Sequence, residues 1–212
     1  ACSVGGGRSL WFCFNDPAPT ENDPLSLDDA LPISIIIRAN GRAELVVSEA
    51  KTLRAVNPED GSELWHCDGL NPLVYTSPVY DGNVVLAMGG YFGASLAVKP
   101  GGNGDVTAKR LWHEARAKKN RIATPVMHEG HAYFVNMSGF MTCLDLKTGG
   151  TVYTERLPAT KSDPGVWGSP VLVGARVAVP NQPAGPPRAR PAPTLWCCAR
   201  HPCGRSPPPT PP

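Results

Sequence analysis

The sequence predicts an all-β chain: a partial β-propeller of about three and a half four-stranded antiparallel blades, flanked by disordered termini. Two repeated phrases, and the turn residues between them, carry that prediction. Ala55–Trp65 reads AVNPEDGSELW and returns 88 residues later as Cys143–Tyr153, CLDLKTGGTVY. A looser copy lies between them, Ala97–Val98–Lys99–Pro100–Gly101, completed after an insertion by Leu111–Trp112. The second phrase, Ser77–Pro78–Val79, recurs as Thr124–Pro125–Val126 and Ser169–Pro170–Val171, at spacings of 47 and 45 residues. Two unlike phrases sharing one period mark a tandem unit, and a period of about 45 residues is that of a propeller blade.

From Ile33 onward the chain runs in short β-rich segments separated by turn residues. The first blade spans 33–67: Ile33–Arg38 and Glu44–Ser48 flank Asn40–Gly41, a pair that tolerates the positive φ of a tight hairpin. Thr52–Asn57 and Glu63–Cys67 then flank Pro58–Glu59–Asp60–Gly61. The second, 74–113, turns at Asp81–Gly82, bends at Gly89–Gly93 and carries an expanded loop at Pro100–Lys109. The third, 122–156, turns at Glu129–Gly130 and again at Thr148–Gly149–Gly150. A fourth, 167–179, supplies only two strands before the pattern stops.

Within the first phrase each residue type has a physical task. Gly61 and Gly149 stand where the turn needs φ > 0, and Asn57 and Asp145 can accept the turn's amides. Trp65, Trp112 and Tyr153 end the outermost strand, where a flat side chain covers the gap to the neighbouring blade.

The net charge of +2 conceals two biased margins. Residues 1–34 hold five acids against one arginine, whereas 181–212 hold four arginines, eleven prolines, three cysteines and no acid. The span between is nearly neutral, which argues against nucleic acid as a partner. No window approaches the ~20 apolar residues of a membrane helix, and the first residues lack the make-up of a signal peptide. Cys67 and Cys143 occupy non-equivalent repeat positions, which predicts two buried small hydrophobes rather than a disulfide.

The pattern A-x-[DN]-x-x-[TD]-G-x-x-[VL]-[WY] with a following [ST]-P-V strand resembles the PQQ-like (pyrroloquinoline-quinone-like) β-propeller repeat over about 33–180. The stretch VYTSPVYDGNVVLAMGGYFGASLAVKPGGNGDVT is more similar to bacterial PQQ-binding-like repeat proteins than to quinoprotein dehydrogenases. That resemblance implies the fold strongly and the activity weakly, because the family holds both dehydrogenases and cofactor-free scaffolds such as the outer-membrane assembly lipoprotein. It also implies a bacterial source and a periplasmic or cell-surface location. Leu10–Ser34 resembles the translated read-through of a sequencing-library adapter, so residues 1–32 are expected to be an unstructured, non-native leader. Residues 181–212 resemble GC-rich DNA read out of frame and are expected to be a disordered, non-native Pro/Arg/Cys-rich tail.

No residue emerges as catalytic, cofactor-binding or metal-binding. Cys197–Cys198 resembles the vicinal disulfide of quinoprotein alcohol dehydrogenases, but it lies in the tail, outside any blade. His128 and His131 bracket a hairpin turn and lack a third ligand. The basic run Arg116–Arg121 reads as a solvated loop, and Gly101–Gly104 has no helix N-terminus behind it to cradle phosphate. Asp105 is a lone carboxylate.

The sequence therefore predicts a non-catalytic binding or scaffold module, a piece of a larger repeat protein, with no cofactor. Loops 68–76 and 100–109 would meet a protein or polysaccharide partner. The alternative is a piece of a quinoprotein alcohol or sugar dehydrogenase using pyrroloquinoline quinone and calcium. An open arc exposes blade faces and strand edges, which predicts association.

Overall fold

In the computed structural model, residues 33–90, 93–115, 122–157, 166, 168–174, 176–180 and 194–197 are described. Four sheets follow one another along the chain. The first is an antiparallel meander of β1 (Ile33–Ala39), β2 (Arg42–Ser48), β3 (Thr52–Val56) and β4 (Glu63–Asp68). The second begins with β5 (Val79–Tyr80), β6 (Val85–Met88) and β7 (Ser95–Val98). The chain then detours through β8 (Gly104–Asp105) and a 3-10 turn (Thr107–Lys109), and returns to complete that sheet with β9 (Trp112–Glu114). The third comprises β10 (Val126–His128), β11 (His131–Val135), β12 (Phe140–Asp145) and β13 (Thr151–Arg156). The fourth holds β14 (Val171–Val173), β15 (Arg176–Val179) and β16 (Thr194–Cys197).

No sheet has a core of its own; the core consists of three apolar layers between sheets. Between the first and second blades lie Val46, Leu53, Trp65, Val85, Leu96 and Val98. Leu86 and Met88 face Ala132, Phe134, Leu144 and Leu146 of the third. Tyr133, Met141 and Cys143 face Val177 and Val179 of the fourth. Because the second blade is covered on both sides, every residue of β6 and β7 is buried, whereas β3 shows the alternation of a sheet with one covered face.

The repeated phrase builds the same local structure twice. The Asn57 amide donates to the Ser62 carbonyl and the Asn57 carbonyl accepts the Gly61 amide, both at 2.8 Å; the Asp145 amide and carbonyl do the same with the Gly150 carbonyl and the Gly149 amide, both at 2.9 Å. Gly61 and Gly149 have φ of 73° and 70°, in the left-handed region that a β-carbon disfavours. The Asn57 and Asp145 side chains each accept the amide two residues on, at 3.0 Å. Even the register shift recurs, between Ala55 and Val56 in one blade and between Cys143 and Leu144 in the other. Ala55 faces Trp65, Ala97 faces Trp112 and Cys143 faces Tyr153, so the looser copy is a true one.

Two expectations are corrected. Loop 100–109 does not stand free at a blade end: Gly104–Asp105 pairs in parallel with Trp65–His66 on the outer edge of β4, and the Val106 amide donates to the His66 carbonyl at 2.9 Å. Val106 is buried in the first layer. An uncovered edge strand presents unpaired amides and carbonyls, and this insertion covers one. Second, Thr194–Cys197, within the tail expected to lack structure, pairs antiparallel with β15. The sequence TLWC is rich in strand-forming types, and β15 otherwise presents an open edge. Residues 1–32, 181–193 and 198–212 lie outside the described residues.

Replacing Gly149 by alanine should destabilise the chain well beyond the same change at Gly41. Both have φ > 0, but a β-carbon at 149 would meet the Trp112 indole at 2.5 Å, while at 41 nothing lies within 4 Å. Left-handed strain costs about 1–2 kcal/mol at either position, so urea melts should separate the two variants by the steric part alone. Asp145 supplies a pH test. Hydrogen bonds from Thr148 hold its carboxyl below the ordinary carboxylate value. A folded-state pKa below the unfolded one stabilises above the unfolded value, about 4, and that contribution fades as pH falls through the folded value. Asp145→Asn, which installs the residue already used at Asn57, should flatten the acid limb of stability measured by denaturant melts from pH 7 to 2.

Candidate functional site

The first strands of the blades, β5, β10 and β14, form one edge of each sheet, and β5 lies beside β10. The second repeated phrase sits where these strands begin and links them. The Ser77 amide donates to Thr124 Oγ1 at 3.1 Å, and the Thr124 amide donates to Ser169 Oγ at 3.0 Å. Each hydroxyl therefore accepts from the same phrase one blade earlier, which explains why the position takes only serine or threonine. The spacing was visible in the sequence; the ladder was not, because its partners stand 45 and 47 residues apart.

Loop 68–76 flanks this end and is held on both sides. Gly69 and Leu70 donate to the Lys51 carbonyl at 2.9 and 3.0 Å, and Leu70 and Val74 are buried. The Gly90 amide donates to the Leu73 carbonyl at 2.9 Å, and Thr76 Oγ1 donates to the Met88 carbonyl. Glycine is required at 90 because a β-carbon there would enter the Tyr75 ring. Among the side chains the loop leaves outward is Tyr75, 43% exposed, two residues before Ser77 of the hydroxyl ladder. The sequence singled out the loop but not this residue.

The other flagged residues do not converge. His128 and His131 face each other across the Glu129–Gly130 turn, and the His131 ring lies 6.4 Å from that of Tyr133. Gly101–Gly104 is tied to the first blade: Arg42 donates to the Gly102 carbonyl at 2.9 Å and to Asn103 at 3.2 Å. Asp105 accepts the Thr107 amide at 2.8 Å, and its hydrogen bonds with Thr107 hold its carboxyl low. Cys67 and Cys143 are reduced and buried in different layers, and burial pushes the Cys67 thiol up to about 11. Cys197 ends β16, while Cys198 and the basic run 116–121 lie outside the described residues.

A bound quinone and calcium would require converging carboxylates or amides. Among the described residues no three His, Cys, Asp or Glu side chains converge on one point. The turn carboxylates Asp60, Asp81 and Asp145 each accept amides from their own turns. These residues do not fit that group.

One buried carboxylate was not anticipated. Glu44, fully buried between the first two blades, accepts from the Trp65 indole at 2.8 Å and from Arg42 at 2.7 Å, with the Gly101 amide at 3.4 Å. All of its partners are structural, and it ties the expanded loop to the first blade.

Comparison with known proteins places this architecture. No curated protein matches the chain. The crystal structure of BamB from Moraxella catarrhalis superposes with a TM-score of 0.52 at 14% identity, covering 79% of this chain and 46% of that one. The computationally designed Ika4 protein gives 0.56 at 12% identity, covering 81% and 93%. Quinohemoprotein alcohol dehydrogenase from Comamonas testosteroni gives 0.51 at 14%, covering 72% and 29%. The chain thus spans about half the length of the BamB structure it matches. The family model described as outer membrane protein assembly factor BamB matches residues 24–197, past both margins of the repeat region read from the sequence. The chain belongs to that family of PQQ-like β-propeller proteins.

Proposed function

We propose that this chain is a non-catalytic propeller module that binds a protein partner at the end carrying Tyr75 and the Ser77–Thr124–Ser169 ladder. Its place is the assembly of outer-membrane proteins, on the periplasmic side or at the cell surface. The observation that carries this reading is the family match over 24–197. Three turn carboxylates are poorly suited to general-base work, which is done best with a pKa raised toward the operating pH. Asp60, Asp105 and Asp145 are held the other way, chiefly by hydrogen bonds from Ser62, Thr107 and Thr148. A half-exposed tyrosine on a braced loop suits recognition, since it offers large contact area at little entropic cost. No helix among the described residues is long and apolar enough to cross a membrane.

The dehydrogenase reading rests on the superposition with the Comamonas enzyme. Two measurements separate them. The chain mixed with calcium and pyrroloquinoline quinone should give no dye-linked oxidation of alcohols or sugars, and turnover above the cofactor blank would overturn the proposal. Purified outer-membrane-protein assembly apparatus should bind the immobilised chain, and Tyr75→Ser should weaken that binding roughly tenfold, the scale of a hot-spot contact. Unchanged binding would remove Tyr75 from the site.

A further inference from the structure

The turn that joins β2 to β3 differs from its counterparts in one residue. The pairs that close this turn in the first three blades are Ser48↔Leu53, Met88↔Ser95 and Val135↔Met141. Two residues before the second member of each stand Lys51, Gly93 and Gly139. Lys51 and Gly139 share a backbone conformation, with φ of 71° and 75°. Each also offers its carbonyl, at 2.9 Å, to the first amide beyond the outermost strand of its blade: Gly69 after β4 and Leu157 after β13. A left-handed backbone suits glycine and strains a residue with a β-carbon. The turn is therefore built with glycine in the third blade, and the first blade holds lysine there against strain.

The lysine side chain does nothing for the fold that would offset this. Lys51 is exposed, and its ammonium enters none of the hydrogen bonds or ion pairs among the described residues. Glu49, two residues away, pairs with Arg54 instead. A strained residue of this kind points to a function outside the fold, and its surroundings say which. The Lys51 amide donates to the Asn71 carbonyl at 3.2 Å, and Asn71 Oδ1 fills the space that a β-carbon at Gly89 would take. Gly90, the next residue, lies under the Tyr75 ring. Lys51 and Tyr75 are thus two exposed side chains of one braced platform.

We propose that Lys51 is a specificity-determining residue that meets a carboxylate on the protein partner contacted by Tyr75. This rests on the reading of the chain as a protein-binding module. A cation beside a half-exposed tyrosine suits an acidic segment, whose apolar atoms meet the ring while an Asp or Glu side chain meets the ammonium. Because the ammonium is solvent-exposed, the contact is of the rim type: small in energy, screened by salt and expressed chiefly in the association rate.

Three variants separate backbone from charge. Lys51→Ala removes the ammonium and keeps the β-carbon, Lys51→Gly removes both, and Lys51→Arg keeps the charge. In urea melts, which also show that each variant is folded, only Lys51→Gly should raise the midpoint. At about 50 mM salt, Lys51→Ala and Lys51→Gly should each weaken binding of the purified assembly apparatus roughly threefold, and Lys51→Arg should not. At about 500 mM salt the difference should vanish. A Lys51→Gly variant no more stable than wild type would overturn the proposal, as would wild-type binding by Lys51→Ala or a loss that salt leaves unchanged. If Tyr75→Ser still weakens binding in that case, the binding site stands without Lys51; a wild-type chain that does not bind the apparatus removes the site and the proposal together. Weakened binding to phosphatidylglycerol vesicles alone, with the apparatus bound as before, would assign Lys51 to a membrane surface and also overturn it.

Discussion

The structure depends on sheets being apolar on the faces they turn to one another. A four-stranded meander buries little by itself, and all three core clusters here lie between sheets rather than within one. The aromatic that ends the repeated phrase is the largest single contributor. Burial of 150–250 Å² at about 25 cal/mol per Å² is worth roughly 4–6 kcal/mol. The hydrogen bond from Trp112 Nε1 to the Leu146 carbonyl across the second joint, at 2.8 Å, adds only about 1 kcal/mol net. Burial thus supplies the energy, and the indole N–H orients the ring. The Ser77–Thr124–Ser169 ladder acts likewise at the inner edge, setting how one sheet meets the next.

The first joint departs from this pattern in a coordinated way. At the register position of Glu44 the second blade has Val84 and the third has His131. A buried carboxylate is tolerable only when paired and hydrogen-bonded, and Arg42, the Trp65 indole and the Gly101 amide provide that. One of these partners, the Gly101 amide, exists because the second blade carries an expanded loop, and Arg42 reaches the same loop through the Gly102 carbonyl. The same loop then lays β8 along β4, and Arg110 donates to the Asp68 carbonyl at 3.0 Å beyond it. The charge, the insertion and the extra strand are one device, without a counterpart among the described residues at the joint between the second and third blades.

These relations explain what the sequence could and could not say. Strands, turns and blade order were legible because each rests on residues within about twelve positions: alternation in β3, Asn40–Gly41 in the first hairpin, Asn57 and Gly61 in the repeated turn. The Glu44 clamp and the docking of loop 100–109 were not, since the contact of Glu44 with Gly101 joins residues 57 positions apart and the pairing of β4 with β8 joins residues 39 apart. Glu44 looks like an ordinary solvent-side residue in RAELVVS until its neighbours are known. Tyr75 was equally hidden, because its ring lies against Gly90, 15 positions on, where a β-carbon would enter it.

Polar side chains mask part of one face of the first blade. At the register position where the second and third blades place Leu96 and Thr142, the first blade has Arg54. Its guanidinium pairs with Glu49 at 3.0 Å and with Glu63, and Glu63 in turn meets His66 at 2.7 Å. Exposed pairs of this kind add little stability, a median below about 1 kcal/mol, so their presence is better explained by where they lie. The Arg54 network covers the outer strands of this face, while Ile36, on β1, is exposed. The unmasked area is thus confined to the inner half of the sheet, beside the repeat axis, where successive blades approach most closely.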